Sequence, residues 1–303
     1  MTTTWSERQI EAASGLMAGF TTTIVTHPLD LIKVRLQLSD KPSTRPFDLL
    51  LDVVRNINRD ATSLYKSPGN KKPKSICYLQ QYYRGVGPNL VGNVSAWALY
   101  FSLYNEFKNL MPTSGGTTTY FTASSLAGLT ISVLTNPIWV LKTRILSTSN
   151  IESNSYKSLM DGVSQIYKNE GLATFWKGTI PSLFQVFQAS LNFTFYNHAK
   201  DYLMMKSETN EISTVQYIYA SVFSKTVSMI LLYPSQVVRS RLQRYNFDGS
   251  KRTLTNVIRE VWTGEGKFRG FYRGLSANIV RVLPSTIITF VSYETTRHYL
   301  YVT

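Results

Sequence analysis

The chain has 303 residues and a net charge of +14, from 32 basic and 18 acidic side chains. Its single cysteine, Cys77, excludes an internal disulfide and a metal site built from several cysteines. The basic excess favours an anionic partner: a nucleic acid, a membrane surface or an anionic small molecule. The N-terminal sequence MTTTWSERQ has neither the pattern of a secretory signal nor that of an Arg-rich transit peptide, so any targeting information is expected to be internal.

Six long segments are almost free of charge and predict six membrane-spanning helices. A helix needs about 20 residues to cross a bilayer. The last two segments contain one charge each, Lys225 and Arg281. All six are rich in Ser, Thr, Asn and Gln, which is typical of helices with one face toward lipid and the other toward a water-filled cavity. In chain order the segments are 12–29, 85–105, 109–141, 178–199, 212–238 and 274–293.

The basic residues lie on one side of this arrangement. The loops 33–84, 142–177 and 239–273 hold 11, 5 and 9 of the 32 Lys and Arg residues, whereas the intervening loops are short and nearly uncharged. The positive-inside tendency places the basic face on the interior side. An even number of spans then places both termini on the opposite face.

The basic loops follow three segments that align without gaps. They read PLDLIKVRLQ at 28–37, PIWVLKTRIL at 137–146 and PSQVVRSRLQ at 234–243. Each begins with a proline, which should kink an odd-numbered helix near its end. The copies predict three tandem repeats, 1–112, 113–206 and 207–303, with kinks at Pro28, Pro137 and Pro234.

A second element follows each proline segment: YYRG at 82–85, NEGLATFWKG at 169–178 and GEGKFRGFYRG at 264–274. Between the two elements lie amphipathic stretches that predict short surface helices on the basic side. The first repeat also carries an insertion at about 61–80, rich in Ser, Lys, Pro and Gly, which predicts a mobile loop.

Three copies of this signature, in register with six spans, resemble the mitochondrial carrier family over essentially the whole chain. The resemblance implies an all-α membrane protein. Six transmembrane helices would form three pseudo-symmetric repeats around a central cavity, with short matrix surface helices. It further implies transport of an anionic metabolite across the mitochondrial inner membrane by alternating access, with no enzymatic activity, bound cofactor or metal. The resemblance also implies a functional monomer with both termini toward the intermembrane space. Lipid such as cardiolipin is expected at the surface helices.

In the family, the acid at proline +2 pairs with the base at +5 of the next repeat, forming a matrix gate. Here only Asp30 and Lys142 can form a full ion pair. A cation–π contact is available where Trp139 faces Arg239, and Gln236 offers Lys33 a neutral acceptor. Glutamines at proline +9 brace this network in relatives, and the second repeat has leucine there. The predicted matrix gate therefore consists of Asp30, Lys33, Trp139, Lys142, Gln236 and Arg239, braced by Gln37 and Gln243.

The resemblance implies a second gate on the cytosolic side, with the pattern aromatic-acidic-x-x-basic. Only Glu294 is acidic in this chain, and the family's pairing order sets it against Lys108. Each gate would have one ion pair, so we expect both to open easily. The predicted cytosolic gate consists of Asn105, Lys108, Asn197, Lys200, Glu294 and Arg297.

Charged residues inside spans are costly and usually functional. Arg281 lies seven residues after Gly274, at the family's substrate-contact position, although an arginine there can also snorkel to the interface. Lys225 replaces a residue expected at a helix-packing seam and could bind a phosphate or serve as a structural ion-pair partner. Trp97 could stack on a flat ring or pack against lipid. The predicted substrate-binding residues are Gly92, Asn93, Trp97, Gln185, Val186, Lys225 and Arg281.

Four strings resemble the branch of the family that carries nucleotide-type cofactors. Within this branch the resemblance is strongest to the FAD and folate carriers, and in particular to the fungal FAD carrier. They are NPIWVLKTR (136–144), FSKTVSMILLYP (223–234), YPSQVVRSRLQ (233–243) and LSANIVRVLPSTIITFVSYE (275–294). Transport of NAD or pyrimidine nucleotides, in mitochondria or peroxisomes, is the alternative. A basic nucleic-acid-binding protein is a remote one, because the basic residues cluster in alternate loops rather than among aromatics on one face. The three histidines are scattered and suggest no catalytic site.

Overall fold

The computed structural model describes residues 6–39, 46–111, 116–149, 155–156, 158–206, 213–244, 253–264 and 267–302. These residues are helical, with short connections and two 3-10 turns, 172–176 and 267–272. Six of the described helices have 24 or more residues, more than the length that crosses a bilayer. They are α1 (Glu7–Gln37), α4 (Val86–Asn109), α5 (Gly116–Ser147), α7 (Thr179–Lys206), α8 (Thr214–Gln243) and α10 (Leu275–Val302). The shorter helices are α2 (Pro46–Lys66), α3 (Lys74–Tyr82), α6 (Leu159–Glu170) and α9 (Leu254–Gly264).

The six long helices form a closed ring. Around it the order is α1, α4, α5, α7, α8 and α10, and α10 packs back against α1. The odd-numbered spans of the sequence, α1, α5 and α8, also contact one another across the centre. The residues that meet there follow the three prolines, so the contact lies at the basic end of the ring.

Three stretches of the described chain combine the length and apolar composition of a membrane span: 122–147, 215–243 and 267–301. The other three long helices contain no stretch of membrane length with that apolar composition. Hydropathy alone thus identifies half of the six spans, whereas the absence of charge predicts all six. The predicted repeat boundaries at 112/113 and 206/207 border positions 112–115 and 207–212, which are outside the described residues, and they stay predictions.

Local signals explain where the long helices begin. Ser6 with Gln9 forms a capping box at α1, and Ser213 with Gln216 forms one at α8. The helices α4, α7 and α10 each follow a glycine with positive φ, a conformation that glycine adopts at little cost. These glycines are Gly85, Gly178 and Gly274, with φ of 78°, 81° and 77°.

The residue before each proline fixes this glycine turn. Its side chain reaches the carbonyl of the basic residue that precedes the glycine in the same repeat. His27 Nε2 lies 2.9 Å from Arg84 O, Asn136 Nδ2 lies 3.1 Å from Lys177 O, and Tyr233 Oη lies 2.9 Å from Arg273 O. Because a carbonyl only accepts, His27 must donate from Nε2. The two helices of each repeat are therefore tied together at the basic end.

The C-terminal ends of α1, α5 and α8 are joined by a cyclic set of hydrogen bonds. The arginine at proline +7 donates its Nε to the carbonyl at proline +9 of the next repeat, which satisfies a carbonyl left unpaired at the helix end. The three bonds run from Arg35 to Leu146, from Arg144 to Gln243 and from Arg241 to Gln37, at 3.2, 3.0 and 3.2 Å. This threefold pattern was not predicted, although the arginine recurs in all three proline segments.

The prediction of a mobile loop at 61–80 is wrong. Helix α2 continues to Lys66 and α3 begins at Lys74, so the insertion forms a helical hairpin. Ala61 and Cys77 are fully buried, and the Thr62 and Tyr78 hydroxyls lie 3.0 Å apart. The Ser, Lys, Pro and Gly content of the turn concealed the buried helical positions on either side of it.

Replacing Gly85 with alanine should lower thermal stability. The φ of 78° costs an L-residue about 1–2 kcal/mol, and the added Cβ would overlap Leu146 Cδ1. Such overlap typically costs about 1–3 kcal/mol more. Thermal unfolding in detergent can be followed with a thiol-reactive dye, because Cys77 is the only cysteine and is buried.

Gly69→Ala is the matched control. Gly69 has φ 90° but nothing within 4 Å of an added Cβ, so only the backbone cost applies. Equal losses in the two variants would contradict the close packing of Gly85 against α5.

Candidate functional site

The carboxylate of Asp30 is the centre of the predicted matrix gate. Asp30 is 8% exposed and lies on α1. Its Oδ1 is 2.6 Å from Arg281 Nη1 of α10, and its Oδ2 is 3.8 Å from Lys142 Nζ of α5. The Asn89 amide of α4 donates to Oδ2 at 3.3 Å. One carboxylate therefore joins four helices drawn from all three predicted repeats.

Two of these contacts were not predicted. The family's pairing order set Asp30 against Lys142, and the structure adds Arg281 at a shorter distance. Asn89 was overlooked, yet its Oδ1 accepts from Lys142 Nζ at 2.7 Å while its Nδ2 donates to Asp30. The only sequence signal for Asn89 is a polar residue one helical turn after the glycine that begins α4.

Glutamines replace the missing carboxylate in the third repeat. Lys33 Nζ donates to Gln236 Oε1 at 3.2 Å, and Gln236 Nε2 donates to Gln188 Oε1 of α7 at 3.1 Å. Gln185, one turn earlier on α7, accepts from Arg239 Nη1 at 3.0 Å. The predicted neutral contact between Lys33 and Gln236 is thus present, and α7 supplies the acceptors that complete it.

Trp139 occupies the second acidic position and faces two cations. Arg239 lies 5.9 Å from a Trp139 ring centroid and Lys142 lies 5.2 Å from one. Its indole N–H donates to Thr135 Oγ1 at 3.0 Å. The ring therefore offers its electron-rich face where relatives have a carboxylate, an attraction of about 0.5–2 kcal/mol per cation.

The two predicted bracing glutamines are buried and join α8 to its neighbours. Gln37 donates to Tyr233 Oη at 3.1 Å and accepts from Ser240 Oγ at 2.9 Å. Gln243 accepts from Thr143 Oγ1 at 2.8 Å. These contacts hold the ends of α1, α5 and α8 together beneath the charged residues.

A buried ion pair lies beyond the gate, at the basic surface. The fully buried Arg144 guanidinium binds both oxygens of Glu170, at 2.5 and 2.9 Å, and Lys177 Nζ lies 3.1 Å from the same carboxylate. Burial alone would raise the pKa of Glu170, but the hydrogen bonds from Arg144 and Lys177 hold that pKa below its ordinary value of 4.5. The stabilisation is complete above pH 4.5 and is lost as the pH falls through the lowered pKa.

Replacing Glu170 with alanine should destabilise the protein by about 3–5 kcal/mol, since it leaves a buried guanidinium without its carboxylate. The loss is measured by thermal unfolding, followed by the reaction of Cys77 with the thiol-reactive dye. Asp52→Ala is the control, because Asp52 is a surface carboxylate whose pair with Arg55, at 4.0 Å, is exposed and worth about 0–1 kcal/mol. A loss no larger than that of the control would contradict a structural role for the pair.

The predicted cytosolic gate is not assembled. Glu294 and Lys108 are both described, and no ion pair joins them. Glu294 instead attracts Arg297, one turn along α10, electrostatically. The Arg297 guanidinium lies 5.5 Å from the Tyr301 ring centroid. The remaining basic residue, Lys200, lies 5.9 Å from the Tyr217 ring of the neighbouring α8, and Asn105 and Asn197 are exposed.

The two ends of the ring therefore differ. Contacts across the centre join the three repeats at the basic end, and the predicted contacts at the other end are open. This arrangement corresponds to one of the two states that alternating access requires.

The predicted substrate-binding residues have different partners in the structure. Arg281 engages Asp30, and Lys225 is exposed and within electrostatic range of Arg281. Asn93 instead donates to Thr23 Oγ1 of α1 at 3.0 Å. Trp97 is 54% exposed, and its ring packs edge-on against Tyr100, with centroids 6.2 Å apart.

Gly92 and Val186 are packing positions in this state. A Cβ at Gly92 would lie 3.1 Å from Trp139, and Val186 Cγ1 lies 3.1 Å from the corresponding point on Gly128. Gly92 thus allows α4 to approach α5 closely, and Gly128 of α5 makes room for Val186 of α7. Their predicted contact with substrate stays a prediction.

Positive charge dominates the centre of the ring. Arg281, Lys142 and Lys33 surround Asp30, the one carboxylate that the described residues place among them, and Arg239 shares the Trp139 ring with Lys142. A compact group of cations with a single anion attracts an anionic ligand. The arrangement can bind such a ligand and offers no nucleophile–base pair for covalent chemistry among these side chains.

A ring of six membrane-length helices, closed by charged contacts at one end and open at the other, defines a membrane transport protein. The sequence matches the family described as "Mitochondrial carrier protein" over residues 5–68, 113–207 and 210–302. The chain therefore belongs to the mitochondrial carrier family, as its motifs predicted.

Three relatives illustrate the range of named cargoes. The mitochondrial FAD carrier protein FLX1 of Saccharomyces cerevisiae is 37% identical, and the alignment covers 98% of each chain. Mitochondrial nicotinamide adenine dinucleotide transporter 1 of the same yeast is 31% identical over 97% of this chain and 78% of its own. Folate transporter 1, chloroplastic, of Arabidopsis thaliana is 31% identical over 93% and 92%.

Proposed function

We propose that this protein carries a large anionic nucleotide-type cofactor, FAD in first place, across the mitochondrial inner membrane by alternating access. The observation that carries the proposal is the basic cluster at the closed end of the helix ring, where Arg281 and Lys142 lie 2.6 and 3.8 Å from the Asp30 carboxylate. The similarity to a mitochondrial FAD carrier over nearly the whole chain supports FAD as the cargo. Folate is the next candidate, from the similarity to a folate transporter.

Transport of NAD is a second candidate function. Relatives from yeast and from Arabidopsis thaliana that are named as NAD transporters are 31% and 32% identical. NAD shares with FAD an adenine nucleotide and a diphosphate, so the same cations could bind either molecule. Pyrimidine nucleotides would satisfy the same groups. A peroxisomal location remains the alternative to mitochondria.

In this proposal the cargo enters from the open end and binds at Arg281 and Lys225. Gln185, Val186, Gly92, Asn93 and Trp97 line its path. The matrix gate would open after binding, and the cytosolic gate would close. Both termini lie toward the intermembrane space, and each of the three repeats contributes one helix pair to a functional monomer.

The matrix surface helices would contact lipid. A cleft of about 340 Å³ at the basic end lies between the first and second repeats and is lined by Arg84, Gly85 and Ser158. An anionic lipid such as cardiolipin would fit its position and charge.

Uptake by reconstituted liposomes tests the proposal. Purified protein in liposomes should accumulate labelled FAD, and unlabelled FAD should compete better than NAD, folate or UTP. If NAD competes best, the second candidate is correct. Absence of saturable uptake of all four compounds, by protein with the thermal stability of the folded state, would overturn the proposal.

A further inference from the structure

Arg281 is only partly satisfied in this state. A guanidinium has five N–H donors. Nη1 binds Asp30, whereas Nε is buried and has no hydrogen-bond partner. The side chain nevertheless keeps 27% of its surface accessible. Arg281 can therefore be reached by a ligand and has donors left to offer it.

Asp30 has two partners besides Arg281. If Arg281 turned away, the carboxylate would keep the Lys142 ammonium and the Asn89 amide, which both lie at its Oδ2. Losing every partner of a buried charge is costly, but losing one of three is not. Arg281 can thus exchange Asp30 for another anion without leaving the buried carboxylate unpaired.

The ligand that replaces Asp30 must offer more than another carboxylate. Exchanging one carboxylate for another at Arg281 brings no gain in charge. A diphosphate brings at least two negative charges and several acceptor oxygens, and it matches the bidentate geometry of arginine. Extra charge is favourable here, because Arg281 and Lys142 both contact the single carboxylate of Asp30.

We propose that Asp30 is a specificity-determining residue that occupies Arg281 as an internal competitor, so that the site selects a diphosphate. Arg281 passes from Asp30 to the diphosphate on binding, and the contact between α1 and α10 at the matrix gate is released in the same step. The inference rests on the proposed transport of an anionic cargo and narrows it. FAD and NAD contain a diphosphate, whereas folate presents carboxylates.

A double-mutant cycle tests the competition. Dissociation constants for FAD and for inorganic pyrophosphate are measured by calorimetry on purified wild-type, Asp30→Asn, Arg281→Gln and doubly substituted protein. Asp30→Asn should bind both ligands about tenfold more tightly, within the range of one charge-assisted hydrogen bond. The same substitution should have no effect when Arg281 is glutamine.

Two outcomes would overturn the inference. One is unchanged or weaker binding by Asp30→Asn. The other is an equal gain in the Arg281→Gln background, which would indicate a general effect of charge. Glu106→Gln, which removes an exposed carboxylate elsewhere on α4, is the matched control and should leave binding unchanged.

A second measurement uses the wild-type protein and does not depend on the folding of any variant. Pyrophosphate should protect Cys77 from the thiol dye on heating more than malonate does at equal concentration. Equal protection would contradict selection of a diphosphate. Liposomes that fail to take up FAD while Asp30→Asn tightens pyrophosphate binding would refute the proposed cargo and leave the competition intact. Uptake of FAD by the liposomes without tighter pyrophosphate binding by Asp30→Asn would refute the competition and leave the proposed cargo intact.

Discussion

Replacing Arg281 with glutamine is expected to lower FAD uptake into reconstituted liposomes by roughly tenfold to a hundredfold. A hydrogen bond to a charged group contributes about 1.5–3 kcal/mol, and glutamine removes both the charge and the bidentate geometry. Asp30 keeps Lys142 and Asn89 in the variant, so the matrix gate should still form. The loss should therefore fall on binding and appear as a raised KM.

Arg259→Gln is the matched control for this variant. Arg259 is exposed on the surface helix α9, and its replacement removes the same charge from the protein without touching the ring. Uptake by the control should equal that of the wild type. Similar losses in both variants would show that the overall positive charge, and not a contact at Arg281, attracts the cargo. Uptake by Arg281→Gln at the wild-type rate would reject Arg281 as a binding residue.

Replacing Gln236 with glutamate is expected to slow transport by about tenfold. The new carboxylate would lie where Gln236 Oε1 now lies, 3.2 Å from Lys33 Nζ. Conversion of a neutral contact into a charge-assisted one stabilises the closed matrix gate by about 1–2 kcal/mol. Lys33 already packs in the closed gate, so the pair forms with little further loss of hydration. Opening the gate must then break an ion pair at Lys33 in addition to those at Asp30.

The variant should also unfold at a higher temperature when followed at Cys77. Asn56→Asp, at an exposed position on α2, adds the same charge and should change neither property. Faster or unchanged uptake by Gln236→Glu would contradict the view that the missing acids make the gate easy to open.

The repeats, the six helices and the basic end were predictable because each depends on a local pattern. A span is recognised from the absence of charge within about 20 residues, and a helix start from a glycine or a capping box within four. The threefold recurrence of the proline segment predicted three equivalent helix ends. The hairpin of α2 and α3 was missed because the local composition of its turn indicated a loop.

The contacts of the gate depended on tertiary structure, because they join residues that are far apart in the chain. Arg281 was predicted to contact substrate, and only the packing of α10 against α1 shows that it binds Asp30 at 2.6 Å. The acceptors supplied by Asn89 and Gln188 to Lys142 and Gln236 were also unforeseen, since a single polar residue in a span has no local partner. The sequence by itself determined which six long helices form and which end is basic. The packing of the ring decided which charges meet, because the free energy of a buried charge depends on neighbours that only the fold brings close.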